Sequence, residues 1–182
     1  MTITLPIYEI IPAIKKKLVD SNNLVLQAPP GAGKTTVVPI ELLNEGWLEN
    51  KKIIMLEPRR LAARAAAKRM AETLGEKVGE TVGYRVRMDS KVGPSTRIEV
   101  VTEGILIRKL QSDPEIADVG LLIFDEFHER SIEADLGLAL SLDVQSGLRE
   151  DLKILVMSAT LDGDRVASLM NDAPLLSSEG RS

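Results

Sequence analysis

A chain of 182 residues can bury one full-size core, and because it lacks cysteine it cannot form disulfides or thiolate metal sites. Its 44% hydrophobic and 27% charged residues are ordinary for a soluble globular protein, and no apolar run approaches the roughly 20 residues of a membrane span. The lysines near the N-terminus follow the apolar residues, the reverse of a secretory signal. We therefore expect one domain over residues 1–182, acting in the cytoplasm and not on a membrane.

The formal net charge of −4 conceals an uneven distribution of charge. Residues 51–110 carry 14 Lys and Arg against 7 Asp and Glu, while the rest of the chain carries 9 against 20. A basic segment inside an acidic chain is compatible with a phosphate-binding face. It is equally compatible with solvated helix surfaces, so charge alone does not decide between the two.

Apolar runs and helical patterns alternate along the chain. An N-terminal helix, which Pro12 breaks or restarts, precedes the first strand. Short apolar runs predict strands over residues 23–27, 53–56, 82–86, 97–101, 119–124 and 152–157. Helical patterns cover residues 33–43, 59–74, 104–110 and 133–142. Because the strands are apolar throughout, we predict an α/β fold whose mostly parallel sheet carries helices on both faces.

Chemically suggestive residues follow the ends of several predicted strands. They come directly after residues 27, 56, 101, 124 and 157. In a parallel sheet, ligands bind beyond the carboxyl ends of the strands. The sequence therefore predicts a single functional edge.

The segment QAPPGAGKTT, residues 27–36, has the pattern of a phosphate loop, although Ala28 replaces the usual first glycine. Glycines at 31 and 33 allow successive amides to face phosphate oxygens, and the helix that follows presents its N-terminus to the anion. Lys34 is expected to reach the β- and γ-phosphates, and the Thr35 hydroxyl to ligate magnesium. A glycine-rich turn that merely caps a helix is the alternative. The predicted nucleotide-binding residues of the loop are Pro30, Gly31, Ala32, Gly33, Lys34, Thr35 and Thr36.

An acidic tetrad, residues 125–128, ends the apolar run 119–124. Buried charge is costly unless it is paired or metal-bound, so we assign Asp125 to magnesium, through water. Glu126 is the candidate general base that orients the attacking water. His128 would link the γ-phosphate site to a moving part, although a lone histidine is more often structural. With Lys34, these carboxylates predict nucleotide hydrolysis; a charged loop cap is the alternative.

Five segments, in this order, resemble helicase motifs I, Ia, Ib, II and III: residues 28–36, 57–63, 102–104, 125–128 and 158–160. The set is similar to that of the superfamily 2 DEAH/RHA-type (DExH-box) ATP-dependent RNA helicases. Phe127, followed by Glu129-Arg130-Ser131, resembles the bacterial HrpB-like subgroup. The resemblance covers essentially the whole chain. It implies a RecA-like P-loop lobe that uses ATP and Mg²⁺ and binds single-stranded RNA, while the residues alone do not exclude DNA.

The resemblance also implies roles for individual residues. Arg69 would stack on adenine. The residues that would couple the γ-phosphate state to lobe movement are Ser158, Thr160 and His128. Tyr84 and Arg87 would support the RNA side, or else belong to a surface β-hairpin. The residues implied to contact the backbone of the single strand are Arg59, Arg60, Thr102 and Gly104.

Nothing after Thr160 resembles the second RecA-like lobe, which supplies arginine fingers in this family. We expect that lobe elsewhere in the same polypeptide, and we expect this chain to bind nucleotide but to hydrolyse it poorly. One alternative is a self-sufficient P-loop NTPase unconnected to nucleic acid, with Arg130 as its nearest activating arginine; the Asn-Lys-x-Asp element of a GTPase is not found. The other is a non-enzymatic docking module, for which the exposed face would come from the leucines at 136, 138, 140 and 142.

Overall fold

The structure, a computed structural model, describes residues 5–29, 33–127, 131–159 and 163–178. Its strands are β1 Asn23–Gln27, β2 Lys52–Leu56, β3 Val82–Val86, β4 Asp89–Lys91, β5 Ile98–Val101, β6 Val119–Phe124, β7 Lys153–Ser158 and β8 Leu175–Ser177. Within the described residues these eight strands form one sheet, in the order β4-β3-β5-β2-β6-β7-β1-β8. Every neighbouring pair is parallel except the β3–β4 hairpin, which confirms the predicted mostly parallel sheet.

Helices connect the strands and cover the sheet. They are α1 Ile11–Asp20, α2 Lys34–Leu42, α3 Arg60–Thr73, α4 Glu103–Ser112, α5 Ile132–Gly147 and α6 Gly163–Leu169. Short 3-10 turns span Pro6–Glu9 and Gly46–Leu48. Pro12 lies in the first turn of α1, where its missing N–H costs no helical hydrogen bond. It therefore restarts the helix after the first 3-10 turn, as the sequence predicts.

Two apolar layers pack on opposite faces of the sheet. Residues from α1, α2 and α3 join Leu24, Leu26 and Met55 in one core cluster. Residues from α4, α5 and α6 join Val25 and Ile54 in the other. Successive side chains of a strand point to opposite faces, so each central strand must be apolar along its whole length. The predicted coverage of both faces is confirmed.

The same alternation determines which face of the sheet the first polar residues after β2 and β6 point to. Leu56 and Phe124 are register partners, and both belong to the layer of α4, α5 and α6. The next residues in the two strands, Glu57 and Asp125, therefore face the opposite layer, which contains α2. Sheet geometry thus places two adjacent carboxylates beside the helix that begins at Lys34.

Tyr84 lies in the hairpin of β3 and β4, and its contacts there explain its role. Its side chain is buried, its hydroxyl donates to Asp89 Oδ2 at 2.9 Å, and the Arg64 guanidinium lies 5.8 Å from the ring centroid. Tyr84 is therefore a packing residue of the hairpin. Arg87 lies in the exposed turn that joins the two strands.

Helix α5 extends beyond its predicted span at both ends. The Ser131 hydroxyl accepts a hydrogen bond from the Ala134 amide and so caps its N-terminus. Leu138 is buried, and Leu140 and Leu142 pack partly buried against the same core cluster, while Leu136 is 43% exposed. The leucines that favoured a docking face thus mainly cover the sheet.

Candidate functional site

The turn between β1 and α2 depends on Gly33. This residue has φ of 95°, in the left-handed region, and a Cβ built on it would lie 2.7 Å from Leu5 Cδ1. A side chain is therefore disfavoured both by the backbone conformation and by the N-terminal segment packed over the turn. Three residues of the predicted loop, Pro30, Gly31 and Ala32, lie outside the described residues.

Two contacts join the start of α2 to the end of β6. The Thr35 hydroxyl donates to Asp125 Oδ2 at 2.7 Å, and Lys34 Nζ lies 3.3 Å from Glu126 Oε1. Lys34 is 96% buried, whereas about a quarter of the Glu126 side chain is exposed. The structure thus brings together the cation, the hydroxyl and both carboxylates that the sequence singled out.

Glu126 has an unusual backbone conformation. Its φ of 54° lies in the left-handed region, which residues other than glycine rarely adopt. Such strain persists only when the surroundings enforce it, and it is concentrated at functional sites. Here it occurs directly after the last strand residue and Asp125, where the chain leaves the sheet and the Glu126 carboxylate meets Lys34.

A third carboxyl group lies beside these two. Glu57 is 2% exposed at the end of β2, and burial raises the pKa of its carboxyl far above the ordinary value. The nearby Asp125 carboxylate, within hydrogen-bonding reach, and Glu126 raise the pKa further, while Lys34 opposes them. Two buried oxygens, Glu57 Oε1 and Asp125 Oδ1, have no hydrogen-bond partner among the described residues.

The oxygen donors of the site fit a magnesium ion. In the part of the chain that the structure describes, no three His, Cys, Asp or Glu side chains converge to enclose a metal by themselves. Magnesium does not require such a cage, because it keeps several waters and uses one or two carboxylates together with substrate phosphates. The Thr35 hydroxyl and the Asp125 carboxylate, with its unpartnered Oδ1, match this kind of coordination.

Two adjoining cavities flank the start of α2, and Thr35, Thr36, Arg69 and Glu126 line both. The first measures about 500 Å³ and extends towards the N-terminal segment. The second measures about 390 Å³ and reaches the ends of β2 and β6. These volumes lie within the usual range for small-molecule sites. Arg69 therefore faces the same space as the phosphate-loop residues, although it comes from α3.

Several residues of these cavity walls have no site role predicted from the sequence, among them Leu5, Tyr8 and Glu57. Leu5 and Tyr8 line the first cavity because the 3-10 turn packs over the start of α2. The local sequence pattern gives no indication of this long-range contact. Glu57 lines the second cavity, and its signal was available: like Asp125, it is an acid that directly follows an apolar strand.

The residues predicted to follow a nucleic-acid strand lie at a neighbouring part of the same edge. Arg59 and Arg60 are exposed at the start of α3, after β2. Thr102 is the N-cap residue of α4, after β5, and Gly104 is exposed in its first turn. Because β2 and β5 are parallel neighbours, the two helix starts lie side by side.

Ser131 connects this edge to the segment that follows the acidic tetrad. Its hydroxyl donates to Glu103 Oε1 at 3.0 Å while it accepts from the Ala134 amide. Burial raises the pKa of the Glu103 carboxyl, an effect that the Ser131 hydrogen bond opposes. One side chain thus links the starts of α4 and α5.

The residues predicted to couple the site to movement are only partly described. Ser158 is buried at the end of β7, where it is the register partner of Gln27, and its carbonyl accepts from the Ala28 amide at 2.9 Å. It therefore lies beside the strand that leads into the phosphate loop. His128 and Thr160 lie outside the described residues, as does Arg130.

Comparison with known proteins identifies the family of the chain. A model of the DEAD/DEAH box helicases matches residues 8–169. The chain belongs to this family. It is 57% identical over 179 residues to the ATP-dependent RNA helicase HrpB of Escherichia coli, covering 98% of this chain and 22% of that protein. It is 37% identical over 175 residues to the ATP-dependent RNA helicase HrpA of Borreliella burgdorferi, covering 96% of this chain and 21% of that protein.

A solved structure extends the helicase comparison to the fold. The crystal structure of the Escherichia coli DEAH/RHA helicase HrpB superposes with a TM-score of 0.94, covering 98% of this chain and 23% of that one. The predicted RecA-like fold and the HrpB-like resemblance are thereby confirmed. The chain spans about a fifth of the length of these helicases. Among the described residues, no helix has the length and apolar character of a membrane span.

Proposed function

We propose that this chain is the first, nucleotide-binding lobe of an ATP-dependent RNA helicase. The observation that carries the proposal is the junction between the phosphate loop and the acidic strand end, where Thr35 contacts Asp125 and Lys34 contacts Glu126. A triphosphate placed at the N-terminus of α2 would meet a cation, a metal-binding pair and a base in one cavity. The names of the two relatives support ATP and RNA as substrates.

Lys34 and Glu126 would act in sequence. Lys34 Nζ contacts the Glu126 carboxylate. Arriving phosphates offer Nζ stronger acceptors at the β- and γ-positions, so Lys34 exchanges the carboxylate for phosphate oxygens. Glu126 is then available to orient the attacking water and to accept its proton. Phosphate binding to Lys34 would thus release Glu126 for this role.

Thr35 and Asp125 are the residues that would hold magnesium, Asp125 through water. Bound magnesium would neutralise charge that develops on the phosphate oxygens. Arg69, which lines both cavities, would stack its guanidinium on the base. Stacking of this kind accepts any base, so the preference for ATP rests on the family rather than on Arg69.

The exposed starts of α3 and α4 would bind the backbone of single-stranded RNA. Arg59, Arg60 and Thr102 would contact the phosphate backbone, and Gly104, with open space at its Cβ position, would allow it to approach closely. Phosphate contacts carry little sequence information and weaken steeply with salt. Single-stranded DNA is the natural competitor in a binding assay. Ser158, together with His128 and Thr160, would transmit the γ-phosphate state to the second lobe.

The proposal is tested by measuring ATP binding and ATP turnover on this 182-residue chain, with and without single-stranded RNA. We expect binding with very slow turnover, because the resemblance places the arginine fingers in a second lobe, and an arginine finger is worth on the order of 10³–10⁵ in rate in other phosphoryl-transfer systems. Lys34→Ala should abolish binding. Fast turnover that ignores RNA would indicate a self-sufficient NTPase, and failure of the wild-type chain to bind ATP would leave only a docking role. Unchanged binding by Lys34→Ala would contradict the assigned role of the phosphate loop.

A further inference from the structure

Glu57 is a buried acid that forms no ion pair among the described residues. Its carboxyl is 2% exposed, its Oε1 lacks a hydrogen bond, and the ion pairs of the described residues do not include it. Burying a polar atom without a partner costs stability, and burying a charge costs more. A residue that served only the fold would be better replaced by an apolar one.

Glu99 shows how this sheet satisfies a buried acid. It lies on β5, the neighbour of β2, and is 5% exposed. Lys52 Nζ donates to one carboxylate oxygen at 2.9 Å, and Arg85 Nε donates to the other at 2.8 Å. Two buried carboxyls on adjacent strands thus have opposite environments. The difference indicates that the Glu57 carboxyl serves a bound group rather than the fold itself.

The position of Glu57 indicates which bound group this is. The backbones of β2 and β6 are joined by the hydrogen bond from the Asp125 amide to the Leu56 carbonyl, at 3.1 Å, so Glu57 and Asp125 leave the sheet side by side. Both carboxyls line the cavity that also contains Thr35. Each keeps one buried oxygen without a partner among the described residues.

We propose that Glu57 is a positioning residue of the magnesium–nucleotide site. Its carboxyl holds Asp125 in place and binds water of the metal through hydrogen bonds, without ligating the metal directly. This inference rests on the proposed nucleotide-binding function. Direct ligation by Glu57 is not required, because magnesium binds through one or two protein ligands together with waters and substrate phosphates, and Thr35 and Asp125 already supply these protein ligands. Residues that orient metal ligands in this way typically contribute about 10–100-fold to metal affinity.

Two substitutions at Glu57 and one at Glu99 test the role. Glu57→Met keeps the volume of the side chain but removes its hydrogen bonds, whereas Glu57→Gln keeps hydrogen bonds with both Asp125 and water. Glu99→Gln is the control, a buried acid on the adjacent strand outside the cavity. The readouts are the Mg²⁺ concentration for half-maximal binding of a fluorescent ATP analogue, analogue binding in EDTA, and the melting temperature without metal.

We expect Glu57→Met to raise the half-maximal Mg²⁺ concentration on the order of 10-fold, with Glu57→Gln restoring most of the loss. Binding in EDTA should stay unchanged, and the melting temperature should change little, because removal of the unpartnered buried Oε1 offsets the loss of the hydrogen bond to Asp125. Glu99→Gln should lower the melting temperature without altering the Mg²⁺ requirement.

Two results would overturn the inference while leaving the nucleotide-binding proposal intact. One is a Glu57→Met variant with the wild-type Mg²⁺ requirement. The other is a variant that melts earlier and loses binding equally with and without Mg²⁺, which would make Glu57 purely structural. Failure of the wild-type chain to bind the analogue at all would instead refute the nucleotide-binding proposal itself, and with it this inference.

Discussion

Lys34 Nζ and Glu126 Oε1 lie 3.3 Å apart, and the two side chains differ sharply in their exposure, at 5% and 26%. The lysine is enclosed, while the partly exposed glutamate lines the same cavity and has a left-handed backbone conformation. We propose that phosphate oxygens compete with the Glu126 carboxylate for Lys34 in this arrangement.

The pair predicts opposite effects on binding and hydrolysis for Glu126→Gln. The amide cannot accept a proton from water, so the slow turnover of the chain should fall by about 10²-fold or to background. Nucleotide binding should be retained or become tighter, since Lys34 no longer has to leave a carboxylate. Equilibrium binding and single-turnover hydrolysis, measured on the same sample, check both effects. Parallel loss of binding and turnover would show that Glu126 supports the structure of the site instead.

Thr35→Val should separate metal-dependent from metal-independent binding. The substitution preserves shape but removes the hydroxyl that donates to Asp125 Oδ2 at 2.7 Å. Asp125, which is 4% exposed, then loses its donor, at a cost of roughly 1–3 kcal/mol in the free energy of unfolding. Analogue binding should require more Mg²⁺, whereas binding in EDTA should change little. Isothermal titration with and without Mg²⁺ measures the difference, and an equal loss under both conditions would contradict the assigned metal role.

The meeting of Thr35 with Asp125 could be anticipated from the sequence, because both follow strands of a sheet predicted to be parallel. The role of Glu57 was harder to anticipate. The sequence places an acid after β2, but only the pairing of Leu56 with Phe124 shows that this acid neighbours Asp125. Strand order and register are set by packing across the whole chain, which local patterns do not report.

Three short elements were missed for related reasons. The strand β8, Leu175–Ser177, has only three residues and pairs with β1, which lies far away in sequence. Its short apolar pattern cannot be distinguished from a loop. Helix α6 and strand β4 are also short, and their existence depends on the neighbours they contact. By contrast, β6 was predicted with its observed bounds because all six of its residues are apolar and the acidic tetrad directly follows them.

Gly33→Ala should destabilise the protein even without ligand. The left-handed φ of 95° costs a residue with a Cβ about 1–2 kcal/mol, and that Cβ would lie 2.7 Å from Leu5. Gly147→Ala is the matched control, because α5 ends there with ordinary φ and with nothing near the added Cβ. Urea unfolding should show lower stability for Gly33→Ala and equal or slightly higher stability for Gly147→Ala. Equal stability of the two variants would contradict the conformational argument.

Glu99 predicts how the stability of the fold responds to acid. Burial is the largest single influence and opposes ionisation, but the hydrogen bonds and charges of Lys52 and Arg85 together outweigh it. They hold the pKa of Glu99 below its ordinary value of 4.5. The Glu99 carboxylate therefore binds a proton less readily in the folded state than in the unfolded chain. Its contribution to stability is complete above that value and is lost as the pH falls through the lower folded pKa.

Glu99→Gln should flatten the acid limb of the stability curve, with its cost concentrated at neutral pH. Asp151 offers a comparison: Arg149 lowers the pKa of this carboxyl to about 2, but its side chain is 60% exposed, so solvent screens the pair. Asp151→Asn should therefore change the curve less than Glu99→Gln. Unfolding free energies in urea between about pH 3 and 7 measure both slopes. If the two variants show the wild-type slope, the paired Glu99 does not govern acid stability, and other carboxylates must carry it.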